Sequence, residues 1–290
     1  MRLAASYIGS LALKNLQNGE TGIVKHVFKN TIYIEKDSEL LVISRKSPRA
    51  PINIGLRELQ ASLKAWVNVG DSLKRIDDKL FLGNVEIELR GAYVYEPSIP
   101  IFSGEPSFTS LEDYITEAAF MLSLLYETSQ NPIQLPATHE FKQFIQNVIT
   151  PLSRGNTQTA SKLDNYTPLL GLGGGFTPSG DDFIAGFLTT INALTKHKIT
   201  IDRNTLLKYT SWASALLIDY AQHGIVDETL ASLLISIHDE DGEGFMDCIL
   251  ALAQRGHNSG IDISLGVLTA LAALSRRENL IERVLRQINC

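Results

Sequence analysis

A glycine-rich loop that ends in two carboxylates is the segment of this chain best suited to chemistry. Residues 171–186 read GLGGGFTPSGDDFIAG and hold six of the 21 glycines. Gly173, Gly174 and Gly175 can adopt positive φ angles, so several backbone N–H groups can point at one place. The helix expected after the loop adds the positive end of its dipole. The pattern predicts a site for an anion.

The carboxylates of Asp181 and Asp182 restrict that prediction, because they repel a bare phosphate. An anion here needs a bridging cation or a nearby basic side chain, and Mg²⁺ held by Asp181 and Asp182 is left open. Alternatively, the carboxylates accept hydrogen bonds from an amide or amine of a substrate. A purely structural reading is a capping box at Ser179-x-x-Asp182, or a helix start at Thr177-Pro178. Known nucleotide loops do not fit, since the required lysine and glycine spacing are missing.

The first helix start is repeated 80 residues later. Aligning 179–194 (SGDDFIAGFLTTINAL) with 259–274 (SGIDISLGVLTALAAL) gives 8 identities in 16 positions. The shared frame Ser-Gly-x-Asp-x-x-x-Gly predicts two helices with the same start and a glycine that lets another backbone approach closely. We therefore expect the two starts to pack around a pseudo-twofold axis, with both loops facing one pocket.

The second loop supplies complementary charge through Arg255, His257 and Asn258, while Ile261 replaces Asp181. Structural roles are open here too, because an arginine can stabilise the end of its own helix and a histidine can simply hydrogen bond near a helix start. We predict four catalytic residues: Asp181, Asp182, Arg255 and His257. The predicted substrate- or anion-binding residues surround them: Gly173, Gly174, Gly175, Thr177, Ser179, Gly180, Asn258, Ser259, Gly260 and Asp262.

Short strands are predicted to fill the first third of the chain. Runs rich in Val, Ile and Tyr alternate with turn signals such as Lys29-Asn30, Asp37-Ser38 and Gly83-Asn84. They predict a small antiparallel β domain, either a barrel or a sandwich, with strands at 21–28, 31–35, 40–44, 79–82, 85–89 and 92–95. Residues 56–67 have helical spacing and predict a helix that crosses the sheet, and residues 1–16 are interpreted as part of the fold.

Helical spacing dominates after a cluster of loop-forming residues at Pro97, Pro100, Gly104 and Pro106. The predicted domains are therefore 1–105, rich in β-structure, and 106–290, mainly helical, which makes the fold class α+β. The predicted helices are 111–128, 138–152, 156–165, 183–196, 204–222, 227–238, 244–255, 261–276 and 279–288.

The charge is unevenly divided between these halves. Lys and Arg number 14 against 12 Asp and Glu up to Glu105, and 12 against 20 afterwards, so a net charge of −6 resolves into +2 and −8. This balance gives no electrostatic reason to bind nucleic acid or an anionic membrane surface. No apolar run approaches the length needed to span a bilayer. The two cysteines, Cys248 and Cys290, exclude a disulfide framework and fit a reducing cytosol, so a cytoplasmic location is expected.

The motifs GLGGGFTPSGDDFIAG and RGHNSGIDISLG resemble those of the AllH-like family, named for a subunit of the oxamate carbamoyltransferase of anaerobic allantoin degradation. The resemblance extends over most of the chain and includes the turn at 66–71. It implies carbamoyl transfer between oxalurate and phosphate, giving oxamate and carbamoyl phosphate. It also implies a hetero-oligomer with other carbamoyltransferase subunits.

In the chemistry implied by this resemblance, the loop amides hold phosphate or the oxamate carboxylate. Arg255 and His257 offset charge on the transferring group, and Asp181 or Asp182 orients an amide NH₂. Two other functions stay open at this point. One is a metal-assisted hydrolase or ligase component that uses Asp181 and Asp182, and the other is a non-catalytic subunit that binds an anion or a partner chain.

Overall fold

The computed structural model describes residues 1–57, 62–100, 108–128, 134–256 and 258–288. The chain divides into two compact units. One comprises Met1–Ser98 with Val226–Glu228, and the other comprises the described residues of 99–225 and those from Thr229 on. The boundary predicted at residue 105 lies outside the described residues, as do His257 and Cys290.

The first unit is built around a closed eight-stranded barrel. Its strands follow the order β5-β4-β3-β2-β6-β7-β8-β1, and pairing of β1 with β5 closes the circle. A ninth strand, β9, lies parallel to β1. Most neighbours are antiparallel, while β4–β5 and β1–β8 are parallel. The strands are β1 (Arg2–Gly9), β2 (Thr21–Val27), β3 (Thr31–Lys36), β4 (Glu39–Ser44), β5 (Asn53–Leu56), β6 (Ser72–Ile76), β7 (Lys79–Leu82), β8 (Val85–Glu88) and β9 (Tyr93–Tyr95).

The barrel follows from alternation and turn chemistry. In β3, Ile32 and Ile34 point into the core while the residues between them are half-buried. Asp37 and Ser38 both have positive φ, 50° and 64°, and join β3 to β4 in the tight hairpin that this residue pair predicts. The six predicted strands are confirmed to within one residue at nearly every end, and the barrel is the correct one of the two predicted alternatives.

The helix predicted at 56–67 is wrong in its described part. Leu56 ends β5, and only Leu63–Ala65 form a single 3₁₀ turn, capped by Ser62. Residues 58–61 are outside the described residues. The apolar spacing arose because buried residues of a strand end and of a turn, Leu56 and Leu63, fall at a helical interval although they belong to different elements.

The second unit is helical, as predicted. Its helices are α2 (Glu112–Thr128), α3 (His139–Phe144), α4 (Thr150–Ser153), α5 (Thr157–Ala160), α6 (Ser179–Leu194), α7 (Arg203–Tyr209), α8 (Trp212–Gln222), α9 (Glu228–His238), α10 (Gly242–Ala253), α11 (Ser259–Leu274) and α12 (Glu278–Ile288), while a short α1 (Ser10–Asn15) belongs to the barrel unit. Among the described helices, none combines the length and the apolar character required to cross a bilayer.

Helices α6 and α11 form the centre of this unit. Nearly every residue of both is buried, which marks them as core helices and not as surface amphipathic ones. An aromatic cluster fixes α6, since Phe144 lies edge-on against Phe183 and Phe187 with ring centroids 5.2 and 5.1 Å away. The predicted single helix at 204–222 is wrong, because Ser211 starts a new helix with its side chain capping the N–H of Ser214.

Candidate functional site

The starts of α6 and α11 meet through two equivalent glycines. A Cβ added to Gly186 of α6 would lie 2.1 Å from the carbonyl oxygen of Ile263, and one added to Gly266 of α11 would lie 2.2 Å from that of Phe183. Only glycine allows backbones to approach this closely. Residues 186 and 266, like residues 183 and 263, are 80 positions apart, so the contact has the predicted pseudo-twofold character.

The loops before the two helices turn in the same way. The N–H of Gly180 donates to the carbonyl of Leu172 (2.9 Å), and that of Gly260 donates to the carbonyl of Arg255 (3.2 Å). The hydroxyls of Thr177 and Ser259 are 3.0 Å apart, which joins one loop to the other. The predicted convergence of the two loops is therefore confirmed.

The serine and aspartate of each motif interact across the pseudo-twofold axis. Asp182 of α6 accepts a hydrogen bond from Ser259 at the start of α11, and Asp262 of α11 accepts one from Ser179 at the start of α6. The capping-box interpretation of Ser179 and Asp182 is wrong, because α6 begins at Ser179 after Pro178 and has no side-chain cap. The shared Ser-Gly-x-Asp frame thus encodes an exchange between two helices and not a cap within one.

The paired carboxyl groups are buried in a way that favours their protonated form. Asp182 is 8% exposed and Asp262 is 1% exposed. Burial is the largest cause of a rise in the pKa of Asp182 to about 8; the charge of Asp262 adds to it, and hydrogen bonds from Ser259 and Thr177 oppose it. Burial also raises the pKa of Asp262 to about 7, against hydrogen bonds from Tyr126 and Ser179. At least one of the two groups therefore holds a proton near neutral pH.

In each of these carboxyl groups, one oxygen atom has no hydrogen-bond partner among the described residues. The Oδ2 atoms of Asp182 and Asp262 are buried and have no hydrogen-bond partner within the part of the chain that the structure describes. A buried polar atom without a partner carries a free-energy cost that a ligand can remove. The pair can thus accept hydrogen bonds from an amide or amine, or donate a proton to one.

Asp181 has a different task from its neighbour. Its Oδ1 accepts the N–H of Gly171 (2.8 Å), and its Oδ2 accepts the hydroxyl of Thr210. Burial raises the pKa of Asp181, and these two hydrogen bonds oppose the rise. Asp181 therefore holds the first turn of the glycine loop, and its charge also adds to the rise in the pKa of Asp182.

The glycine loop presents backbone donors. Gly173 and Gly175 have φ of 113° and 100°, values that side chains rarely permit, so two of the three predicted glycines are required by conformation. The N–H groups of Gly173, Gly174 and Gly175 donate to no acceptor among the described residues. Gly174 and Gly175 are exposed. This is the arrangement expected of an anion-binding loop.

The second loop brings a cation and an amide to the same end of the helix pair. Arg255 is half-buried just after α10, and its carbonyl accepts the N–H of Gly260. Asn258 occupies the N-cap position of α11 without a side-chain capping bond, so its amide is not committed to the helix. His257 lies outside the described residues.

Comparison with known proteins gives one family. Residues 169–271 match the model of the family described as oxamate carbamoyltransferase subunit AllH. The match supports an AllH-like family assignment. No curated protein and no solved structure matches this chain at the threshold applied. The matched segment begins just before the glycine loop and ends inside α11, so the AllH-like part contains both helix starts.

Two residues that contact the candidate site are not evident from the sequence. The hydroxyl of Tyr126, on α2, donates to Oδ1 of Asp262 from a position 136 residues away. Burial raises the pKa of Tyr126 well above its ordinary value, and the charge of Asp262 adds to the rise. Thr210, which binds Asp181, lies at the break between α7 and α8. Neither has a motif around it; the only available signal for Thr210 was the polar pair Thr210-Ser211 inside an apolar helical pattern.

The described residues contain no group of three or more His, Cys, Asp or Glu side chains arranged to hold a metal ion. Both oxygens of Asp181 already accept hydrogen bonds from Gly171 and Thr210. A Mg²⁺ ion held by Asp181 and Asp182 stays a prediction.

Proposed function

We propose that this chain is a subunit of an oxamate carbamoyltransferase of allantoin degradation, which transfers a carbamoyl group between the amide nitrogen of oxamate and phosphate. The family match over 169–271 supports the assignment. The observation that carries it is the pair Asp182 and Asp262, two buried carboxyl groups that each accept a hydrogen bond from the serine at the start of the other helix.

The glycine loop is the proposed binding site for the anionic group of the substrate. The N–H groups of Gly173, Gly174 and Gly175, together with the positive ends of two converging helices, suit phosphate or the carboxylate of oxamate. The hydroxyls of Thr177 and Ser259, which lie where the loops meet, hydrogen bond to Asp182 and orient its carboxyl group. Arg255 and His257 are proposed to offset the charge on the transferring carbamoyl oxygen or on phosphate.

The proposed reaction needs a proton on nitrogen. When oxalurate is cleaved, a phosphate oxygen forms a bond to the carbamoyl carbon and the bond from that carbon to the oxamate nitrogen breaks. The departing nitrogen takes one proton, and the products are oxamate and carbamoyl phosphate. We assign this proton to the Asp182–Asp262 pair, because burial keeps a proton there near neutral pH. The same pair accepts a proton from the oxamate amide in the reverse direction.

Asp181 and Tyr126 are proposed as positioning residues. Asp181 holds Gly171 and so fixes the glycine loop, while Tyr126 fixes the orientation of Asp262. The family description names a subunit, so we propose that the complete active enzyme is a hetero-oligomer with other carbamoyltransferase chains.

The assignment is tested by synthesis of oxalurate. The purified chain is incubated with oxamate and carbamoyl phosphate, alone and with each combination of its candidate partner subunits, and oxalurate is measured by chromatography. Formation of oxalurate by a combination that requires this chain supports the proposal. Absence of oxalurate with every combination, while the chain is folded and assembled, removes the substrate assignment and leaves a role in anion or partner binding.

A further inference from the structure

A pocket lies at the ends of α6 and α11 opposite the candidate site. It has a volume of about 790 Å³ and is lined in part by Ile191, Leu194 and Thr195 of the α6 end and by Leu274 and Ser275 of the α11 end. Because α6 has 16 residues, its two ends are about 24 Å apart. The pocket is therefore separate from the Asp182–Asp262 site.

The inner wall of this pocket is apolar. Leu152, Ile191, Leu194, Ile199 and Leu274 contribute to it. Its volume falls within the range of small-molecule sites, which are commonly apolar clefts with a few polar groups that orient the ligand. The wall suits the ring or chain of an organic molecule.

The rim of the pocket is basic. Lys196, His197, Lys198 and Arg276 line it, and no Asp or Glu does. This is notable in a half of the chain that has 20 acidic residues against 12 Lys and Arg. Lys196, His197, Lys198 and Arg276 are all exposed, so an anionic group can reach this rim without being fully desolvated.

The carbonyl groups at the helix ends do not cancel this positive character. Helix C-termini ordinarily repel anions through their unpaired carbonyls. Here Nζ of Lys198 donates to the carbonyls of Asn192 and Thr195, and Oγ of Ser275 donates to that of Ala272 (2.7 Å). These three carbonyls have partners, and the exposed Lys196 and Arg276 place further basic side chains at the rim.

We propose that this pocket binds an organic anion, with its apolar part on the inner wall and its carboxylate or phosphate group facing Lys196 and Arg276. The site goes beyond the proposed carbamoyl transfer, whose reacting groups lie at the other helix ends. A ligand here contacts both α6 and α11, the helices that carry Asp182 and Asp262.

The experiment is isothermal titration of the full chain with four probes: phenyl phosphate, benzoate, inorganic phosphate and phenol. Phenyl phosphate or benzoate is expected to bind at least about tenfold more tightly than inorganic phosphate and phenol, because only the first two combine both features. The comparison of phenyl phosphate with benzoate identifies which anionic group the rim prefers.

Charge reversal locates the binding. The double variant Lys196→Glu, Arg276→Glu is expected to bind the preferred probe about tenfold or more weakly than the native chain. Lys142→Glu is the matched control, because Lys142 is exposed in the same unit and does not line the pocket; it is expected to leave binding within about twofold. Circular dichroism of each variant verifies the fold.

Three results overturn the proposal: no binding of either organic anion, equal binding of inorganic phosphate or phenol, or unchanged binding in the folded double variant. Neither phenyl phosphate nor benzoate is a carbamoyl donor or acceptor in the proposed reaction. A negative result with them therefore does not bear on the proposed carbamoyl transfer, which the oxalurate assay tests separately.

Discussion

Replacing Asp182 with asparagine is expected to stabilise the protein in alkaline solution and not in acid. Burial raises the pKa of Asp182 from 3.8 to about 8, so the folded chain holds a proton that the unfolded chain releases between these values. Stability therefore falls as pH rises through this interval in the native protein. Asparagine cannot ionise, and its side-chain oxygen still accepts from Ser259.

The size of the effect follows from the same values. A rise from 3.8 to about 8 corresponds to at most ~6 kcal/mol of lost stability once the group is ionised. The neighbouring Asp262 shares the proton, which lowers the part recovered by one substitution. We expect Asp182→Asn to gain ~2–4 kcal/mol over the native chain at about pH 8.5 and little at about pH 4.5.

The assay is urea unfolding at both pH values, monitored through the helical circular dichroism signal. Asp202→Asn is the matched control: hydrogen bonds from Thr205 lower the pKa of Asp202, so this group is largely ionised in the folded and unfolded chain at both pH values, and its replacement is expected to change stability equally at each. Equal stability changes of Asp182→Asn at both pH values, or a loss at alkaline pH, would show that Asp182 is ionised in the folded protein and refute the reasoning.

Two further predictions concern the helix pair and its supports. Gly186→Ala places a Cβ 2.1 Å from the carbonyl oxygen of Ile263 and is expected to lower the free energy of unfolding by ~1–3 kcal/mol or more. Gly174→Ala is the control, because its Cβ has nothing within 4 Å, and it should change this free energy by less than ~0.5 kcal/mol. Equal melting temperatures of the two variants would contradict the close crossing of α6 and α11. Tyr126→Phe removes a hydrogen bond that lowers the pKa of Asp262. We therefore expect the free energy of unfolding to fall by ~1–3 kcal/mol, and by more at about pH 8.5 than at about pH 5, in the same unfolding assay. A fall that is independent of pH would mean that Tyr126 acts only through packing.

The sequence contained enough to predict the convergence of the two loops. Its evidence was a repeated Ser-Gly-x-Asp-x-x-x-Gly frame, in which glycines 186 and 266 need a close backbone and aspartates 182 and 262 occupy equal positions. The partner of each aspartate could not be predicted, because the exchange with the serine of the other helix depends on how the helices cross. Local rules instead favoured a capping box, which the structure replaces.

Elsewhere in the chain, too, elements set by local sequence pattern were predicted correctly and elements set by tertiary contacts were missed. Strands with regular alternation and hairpin turns, such as β3 and β4, were predictable from local pattern. Strand β5 and the break at Ser211 were not, since each is decided by tertiary partners: β5 closes the barrel against β1, and the break lets Thr210 reach Asp181. Tyr126 was invisible for the same reason.

Asp182 and Asp262 are together proposed to supply the proton of carbamoyl transfer. The rate of oxalurate formation by the assembled complex is measured with Asp262→Asn, with the native chain and with Asp202→Asn as the control, because Asp202 is exposed and has no role in the proposed site. We expect kcat to fall ~100-fold or more for Asp262→Asn with assembly intact, and to stay near the native value for the control. A native rate for the assembled Asp262→Asn complex would contradict it.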